Sequence, residues 1–327
     1  MQWNEFMIKK FTFVFYFILF FSNCVYAQID FPKKSVKIIV PVAPGAGTDF
    51  LARKIGEKLQ IRWGYPVIID NRIGGASGNV GAEFVARSTP DGYTLLVSGP
   101  GPLSINKVLF PRLSYNPENF SAISLIASIP NVLIVKPALP VSNMQDLVNY
   151  IRFHPGELNY ASGGSGTTPH LSIELLKTLA NLNIVHVPYK GSAATITAML
   201  SGQIDMMFVE LSSTLSNIKT GRFKAIAVGS EKRNDALPNT QTMNEIFPGF
   251  LTMTWYGLVA PPGTPKDICD KIFIAVSEIL KQPDIISNLQ ALNIDIINGS
   301  PEEFRYFAKS ETEKWGKVIK ASGATVD

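Results

Sequence analysis

Three residue types in this chain are those of nucleophilic catalysis. Ser165 or Ser98 would be the nucleophile, His170 the general base and Asp205 the group that orients the base, as in secreted hydrolases. However, Ser165 stands directly between glycines, without the spacer residues of a Gly-x-Ser-x-Gly elbow. His170 also stands at the start of a predicted helix, where it can hydrogen-bond to the backbone. A secreted hydrolase is therefore the alternative function, and no residue is assigned a catalytic role.

A second kind of chemistry is anion binding by a glycine-rich turn. The stretch PGAGTDF, Pro44–Phe50, follows an apolar run and precedes a helical pattern. It lacks the Gly-Lys-Ser/Thr of a phosphate-binding loop, and Phe50 replaces the third glycine of a dinucleotide fingerprint, so no nucleotide site is expected. Gly45 and Gly47 allow close approach by a ligand, and N–H groups at a helix start favour a carboxylate. The alternative, that these glycines only form the turn, stays open.

Three further turns have a similar composition. The stretches SGGSGTTPH, Ser162–His170, and YKGS, Tyr189–Ser192, precede predicted helices, and SGPGP, Ser98–Pro102, follows a predicted strand. Because ligands bind at the carboxyl ends of strands in parallel sheets, turns from two halves of the chain could line one cleft. The four turns predict a site for a small carboxylate. No metal or organic cofactor is expected, because no two histidines have metal-ligand spacing.

The elements that must position these turns alternate between strand and helix. Runs rich in β-branched residues, such as Val36–Val42, alternate with helical patterns such as Asp49–Gln60. This alternation predicts an α/β fold with a buried parallel sheet. Extended stretches at Ser128–Val132 and Leu251–Ala260 are interpreted as crossings between two domains. The expected domain 1 is discontinuous and comprises residues 28–129 plus 252–327, and domain 2 comprises residues 130–251.

Two helix starts carry the sequence pattern of a capping box, in which a Ser or Thr precedes a Glu or Gln by three positions. Ser142 and Gln145 precede a helical pattern that ends near Phe153. Ser300 and Glu303 precede the last helical pattern of the chain. We therefore predict that Ser142 and Ser300 are N-cap residues.

The first 27 residues differ from the rest of the chain. Two lysines precede the apolar run Phe11–Phe21, and Val25 and Ala27 occupy the −3 and −1 positions of a small-residue cleavage site. This pattern predicts a secretory signal peptide, residues 1–27, and a periplasmic location. A lipoprotein signal that uses Cys24 is one alternative, and a membrane-retained sensor with an uncleaved N-terminus is another.

Charge and cysteine content limit the partners further. The net charge is only +4 over 327 residues, without a dense stripe of Lys and Arg, so nucleic-acid binding is not expected. Once the signal peptide is removed, Cys269 is alone and cannot form an intramolecular disulfide. It stands in a helical pattern, so we expect a buried small hydrophobic side chain.

The mature chain resembles, nearly end to end, the tripartite tricarboxylate transporter substrate-binding proteins, the Bug/TctC family. The stretches that carry this resemblance are IIVPVAPGAGTDFLAR, NRIGGASGNVGAEFVARSTPDGYTLL, LNYASGGSGT, VHVPYKGS, SGQIDMMF, APPGTP and SPEEF. The resemblance implies a type II periplasmic binding protein fold, with two α/β domains, a ligand cleft and a hinge. It also implies a receptor rather than an enzyme. The ligand would be an organic acid, amino acid or aromatic acid, and the partner a permease with a large and a small subunit.

The resemblance also implies which residues contact the ligand. They are Ala43, Pro44, Gly45, Ala46, Gly47, Thr48 and Asp49 in the first turn; Ser162, Gly163, Gly164, Ser165, Gly166 and Thr167 in the second; and Ser98, Tyr189 and Asp205 elsewhere. Val42 and Ala46 depart from the Phe and Gly that are common in the family.

Glu210 is a further departure, because the family often has Asp-Asn where this chain has Val209 and Glu210. If Glu210 lines the cleft, it would repel a second carboxylate and favour an amine or amide on the ligand. The alternative is a solvent-exposed Glu210 at a helix start.

Overall fold

Ten strands form one mixed sheet in the described part of the chain, residues 30–75 and 78–325 of this computed structural model. From Pro32 onward, the described residues belong to a single compact unit. The predicted signal peptide and Cys24 lie outside the described residues. The strands are β1 Val36–Val40, β2 Val67–Asn71, β3 Thr94–Ser98, β4 Ser121–Val135, β5 Asn159–Ser162, β6 Val185–Pro188, β7 Met206–Glu210, β8 Lys224–Val228, β9 Met253–Ala260 and β10 Asp295–Gly299.

Helices cover the sheet and connect its strands. They are α1 Gly47–Trp63, α2 Asn79–Ala86, α3 Asn106–Leu109, α4 Met144–Phe153, α5 Thr168–Ala180, α6 Ser192–Leu200, α7 Leu211–Lys219, α8 Met243–Ile246, α9 Lys266–Leu280, α10 Pro283–Gln290 and α11 Pro301–Ser322. A π-helical segment, Gly101–Ile105, leads into α3, and a short 3-10 helix covers Pro117–Asn119. The predicted α/β fold is confirmed.

The order of the strands divides the sheet into two halves that meet at β4. The path β2-β1-β3-β9-β4 forms the first half, and β4-β7-β5-β6 forms the second. β1, β2 and β3 are parallel to one another, as are β5, β6 and β7. Each half is therefore built largely from strand-helix-strand units, which the alternating pattern of the sequence predicts.

β4 is the strand that both halves share. Its first part, Ser121–Pro130, pairs with β9, and its last part, Asn131–Val135, pairs with β7. At the junction the Asn131 N–H donates to the Thr252 carbonyl at 3.3 Å, and the Thr252 N–H donates to the Gly229 carbonyl at 2.9 Å. This junction coincides with the predicted crossings. The domain boundaries derived from them stay a prediction.

Each half has its own apolar core, and a further apolar cluster joins the halves. In the first half, Trp255 packs edge-on against Phe304, with ring centroids 5.8 Å apart. In the second half, α4 and α5 cover the face of the sheet that carries Tyr160 and Phe208. The joining cluster brings together Leu171 of α5 and Trp315 of α11. The last helix therefore packs on both halves.

Only one of the two predicted capping boxes forms. The Ser300 hydroxyl accepts from the Glu303 N–H, and the Glu303 carboxylate accepts from the Ser300 N–H at 2.7 Å, as predicted. The prediction for Ser142 was wrong, because α4 begins one residue later. Its N-cap is Asn143, whose side-chain oxygen accepts from the Asp146 N–H at 2.9 Å.

Cys269 is buried on α9, as predicted, and burial raises the pKa of its thiol to about 11. Among the helices of the described chain, none combines the length and the hydrophobicity needed to cross a bilayer.

Candidate functional site

A cleft of about 790 Å³ opens where strands from both halves end. The loops that follow β1 and β3 form one wall, and the loops that follow β5 and β6 form the other. The predicted residues that line the cleft are Ala43, Ala46, Gly47, Thr48, Ser98, Gly163, Gly164, Ser165, Thr167, Tyr189 and Glu210. The carboxyl ends of parallel strands therefore converge here, as expected for α/β sheets.

The remaining predicted residues lie outside the lining. They are Pro44, Gly45, Asp49, Ser162, Gly166 and Asp205. Most of them support the loops from behind, and Asp205 lies at the other end of β7.

Asp49 fixes the first loop from beneath. One carboxylate oxygen accepts from the Gly45 N–H and from Arg53 Nε, both at 2.9 Å, and the other accepts from the Asn71 amide at 2.8 Å. Burial by itself would raise the pKa of Asp49. The hydrogen bonds from Arg53, Gly45 and Asn71 outweigh burial, and the pKa is lowered below its usual range. Asp49 is therefore an ionised anchor of the loop that carries Gly47.

Gly45 shapes the same loop. Its φ of 87° lies in the left-handed region, and no other atom lies near the position of an added Cβ. A glycine is favoured here by the backbone conformation and not by crowding.

Ser162 and His170 support the second loop in a comparable way. The Ser162 hydroxyl donates to the Gly164 carbonyl at 3.1 Å, and the Gly166 N–H donates to His170 Nδ1 at 3.0 Å. The His170 ring stacks on His186 with centroids 4.1 Å apart. These buried contacts hold the loop that carries Ser165 and Thr167 at the cleft.

Gly166 has a packing role that the sequence did not indicate. Its φ is 80°, and an added Cβ would lie 2.0 Å from Leu109 Cδ2. Leu109 belongs to α3 of the first half. The glycine therefore allows close contact between the two halves.

Three helices present their N-termini to the cleft. Gly47 and Thr48 begin α1, Thr168 begins α5 and Ser192 begins α6, and all four line the cleft. Ala46 and Gly191, the N-caps of α1 and α6, have no side-chain oxygen, and the Thr167 hydroxyl at the start of α5 donates to the Gly164 carbonyl instead. N–H groups of these first turns have no acceptor within their own helices. They form a neutral surface that favours an anion.

The floor of the cleft contains hydroxyl groups. The Ser98 side chain is only 1% exposed, and its oxygen has no hydrogen-bond partner among the described residues. Thr254 and Tyr256 lie two residues apart on β9, so both side chains face the cleft. Burial, and then the nearby Glu210, raise the pKa of Tyr256 well above its ordinary value, so its hydroxyl stays protonated.

Glu210 also lies on this floor. It ends β7, pairs with Asn131 of β4, and is partly buried. Burial raises the pKa of Glu210. A hydrogen bond with the Thr254 side chain lowers this pKa, but the effect of burial is larger. The alternative of a solvent-exposed Glu210 does not agree with this position.

Asp205 is outside the cleft because it precedes β7, whereas Glu210 ends it. Asp205 and Glu210 are five residues apart along the strand, a distance of roughly 16 Å. The Asp205 carboxylate accepts from the Asn159 N–H at 2.8 Å and pairs with Lys136 at 2.5 Å. It therefore joins the amino ends of β5 and β7. The arrangement does not place Asp205 where it could orient His170.

Several lining residues were not predicted from the sequence. Lys190 and Gly191 belong to the predicted turn Tyr189–Ser192 but were not among the expected ligand contacts. Ile73 to Gly75 belong to the glycine-rich loop after β2. The loop after β2 is as rich in glycine as the four predicted turns, so it could have been predicted as part of the site. Tyr256 gave no such signal, because it stands within an apolar strand. Within the described chain, no three His, Cys, Asp or Glu side chains come together as metal ligands would.

Known proteins resemble this chain over most of its length. The family profile described as "Tripartite tricarboxylate transporter family receptor" matches residues 51–324. A UPF0065 protein of Pseudomonas sp. strain P51, from the tcbD-tcbE intergenic region, is 35% identical over 292 residues, which cover 88% of this chain and 86% of the relative.

Several solved structures share the fold. Rpa4515 of R. palustris, solved with adipate, has a TM-score of 0.81 at 34% identity and covers 90% of this chain and 99% of its own. MatC of Rhodopseudomonas palustris, solved with bound malate, has a TM-score of 0.78 at 31% identity. The match covers 88% of this chain and 100% of the MatC chain. The periplasmic binding protein BugD has a TM-score of 0.78 at 31% identity. The match covers 90% of this chain and 99% of the BugD chain.

The family profile is that of a receptor and BugD is a periplasmic binding protein, so the predicted receptor class is confirmed over the hydrolase alternative. By its sequence profile, its relatives and its fold, the chain belongs to the tripartite tricarboxylate transporter receptor family.

Proposed function

We propose that this protein is a periplasmic receptor that captures a small carboxylate and delivers it to the permease of a tripartite tricarboxylate transporter. The observation that carries the proposal is the convergence of three helix N-termini, α1 from the first half and α5 and α6 from the second, on one cleft. A carboxylate that accepts from these N–H groups would contact both halves at once.

The composition of the cleft supports a carboxylate ligand. Its loops offer backbone N–H groups and the hydroxyls of Thr48 and Ser98. A hydrogen bond to a charged group contributes roughly 1.5–3 kcal/mol net. A handful of such bonds is enough for micromolar affinity, which is about −8 kcal/mol. Two relatives, solved with adipate and with malate, support the same ligand class.

Closure of the two halves is the proposed mechanism. β4 and β9 are the strands at which they meet, with domain 1 as residues 28–129 plus 252–327 and domain 2 as residues 130–251. A ligand that bridges the halves binds the closed form better than the open form, and so it shifts the population toward closure. The permease would recognise the closed, loaded form. The signal peptide, residues 1–27, would direct the chain to the periplasm.

A thermal-shift screen of residues 28–327 tests the proposal. The panel contains dicarboxylates, tricarboxylates, amino acids and aromatic acids, each with its fully methylated ester as the matched control that has no carboxylate. A ligand at a hundred times its Kd stabilises the folded state by about 2.7 kcal/mol, a shift of several degrees. We expect a shift with one class of acids, no shift with the esters, and recovery of the compound unchanged.

Two results would contradict the proposal. Consumption of a compound during the assay would support the hydrolase alternative. Equal shifts with an acid and its ester would show that the carboxylate is not what the cleft recognises.

A further inference from the structure

Glu210 lies at the end of β7, on the floor of the cleft. It precedes α7, but its side chain does not cap that helix in the described structure. Its backbone pairs with Asn131 of β4, and its side chain lies on the cleft floor with Thr254 and Tyr256. The side chain is therefore placed to contact a bound molecule.

The ionisable groups of the cleft give it two unlike ends. Among its described lining residues, Glu210 is the one carboxylate and Lys190 the one formally cationic side chain. Lys190 is solvent-exposed, in the loop before α6, whereas Glu210 is partly buried at the floor. The helix N-termini favour an anion at the walls, and Glu210 favours a cation or hydrogen-bond donor at the floor.

We propose that Glu210 makes the receptor selective for aminocarboxylates over dicarboxylates. The inference depends on the proposed function, because it assumes that one carboxylate of the ligand binds at the helix N-termini. The ammonium group of the ligand then lies beside Glu210 and forms a charge-assisted hydrogen bond. A second carboxylate in that position would be repelled by the negative charge of Glu210. This repulsion is stronger than at the surface, because Glu210 is partly buried and less water surrounds the two charges.

The surroundings of Glu210 predict a pH dependence. The groups that share the cleft with it are Tyr256 on β9 and Tyr189 and Lys190 in the loop before α6. Tyr256 remains neutral because its pKa is raised, so it does not neutralise Glu210. Burial raises the pKa of Glu210, and acidification therefore protonates it sooner than an exposed glutamate. Protonation removes the attraction for an ammonium group.

Matched ligands test the inference directly. Succinate and γ-aminobutyrate, and adipate and ε-aminocaproate, differ by the replacement of one carboxylate with an aminomethyl group. Calorimetric titration of residues 28–327 should give a Kd about tenfold or more lower for the amino member of the better-fitting pair. That preference should fall as the pH is lowered from neutral to mildly acidic.

Variants show whether Glu210 causes the preference. Glu210→Gln should abolish the preference and its pH dependence, whereas Glu210→Asp, which keeps the charge, should retain part of both. Glu231→Gln is the matched control, because Glu231 is exposed outside the cleft and its substitution changes the net charge equally.

The two proposals fail in different ways. If wild type binds the dicarboxylates as tightly as their amino counterparts, or if Glu210→Gln leaves the ratio unchanged, the inference is overturned and the proposed function stands. The simple monocarboxylates butyrate and hexanoate are tested beside the panel. If neither they nor any acid of the panel binds, the inference and the proposed function are both overturned.

Discussion

Asp49 shows how a residue beneath a loop of the cleft can act by holding that loop in place. The family resemblance implies a direct contact between Asp49 and the ligand. The structure instead uses both carboxylate oxygens to hold Gly45, Arg53 and Asn71. These donors fix the loop in a shape that leaves the N–H groups at the start of α1 pointing at the cleft. Asp49 was expected among the ligand contacts, but its carboxylate lies beneath the loop. Gly45 and Arg53 are each four residues away, and only Asn71, on β2, is distant in sequence.

Asp49→Asn should destabilise the protein by about 1–3 kcal/mol, because an amide cannot accept at both positions and leaves buried donors unsatisfied. Carboxylate affinity should fall as well. Because the folded-state pKa of Asp49 lies below its unfolded value of 3.8, its stabilising effect is present above that value and is lost as the pH falls through the folded pKa. Urea denaturation across acidic pH measures this.

Asp235→Asn is the control for that experiment, since Asp235 is exposed. The difference between wild type and Asp49→Asn should narrow in acid, while Asp235→Asn stays close to wild type. A pH-independent difference, or no difference, would contradict the anchoring role.

At the scale of elements, local patterns identified most strands and helices but not how they pair. The apolar run Val36–Val42 predicts a buried parallel strand, and β1 confirms this prediction. The 15-residue strand β4 was predicted only as a short strand and a crossing, and β10 was not predicted. Both depend on antiparallel pairing with residues far along the chain. Periodicity reports which side chains are buried, but not which strand lies alongside.

The start of α4 gives a test at this scale. Asn143→Ala should lower the free energy of unfolding by about 1 kcal/mol, because the Asp146 N–H loses its acceptor. Ser142→Ala is the natural comparison and should change stability by less than about 0.5 kcal/mol. Chemical denaturation measures the free energy of unfolding of both variants. A larger loss for Ser142→Ala than for Asn143→Ala would contradict Asn143 as the N-cap and support Ser142 instead.

At the scale of the whole molecule, the last helix connects the two halves. Trp315 of α11 packs against Leu171 of α5, and its indole N–H donates to the Glu311 carboxylate at 2.9 Å. The same carboxylate accepts from the Trp255 indole on β9 at 3.1 Å. The C-terminal segment therefore completes the first half and also contacts the second. The sequence indicated an amphipathic last helix, but contact with both halves is a property of the folded chain.

Trp315→Ala should cost about 3–5 kcal/mol, since it removes a fully buried aromatic side chain and leaves the Glu311 carboxylate with one donor fewer. Tyr306→Ala, on the same helix at 79% exposure, should change stability by less than about 0.5 kcal/mol. Thermal unfolding followed by circular dichroism compares them. A small effect at Trp315 would mean that α11 is not needed to hold the halves together.

The cleft as a carboxylate site is the central claim, and calorimetric titration of Gly47→Val tests it most directly. A Cβ at Gly47 would lie 3.0 Å from Tyr256 Oη, so valine crowds the cleft floor and blocks the start of α1. We predict one-to-one binding of the best acid from the screen to wild type, with a Kd of about micromolar. The variant should keep a cooperative unfolding transition and show no binding. Undiminished affinity in a folded Gly47→Val protein would contradict the account.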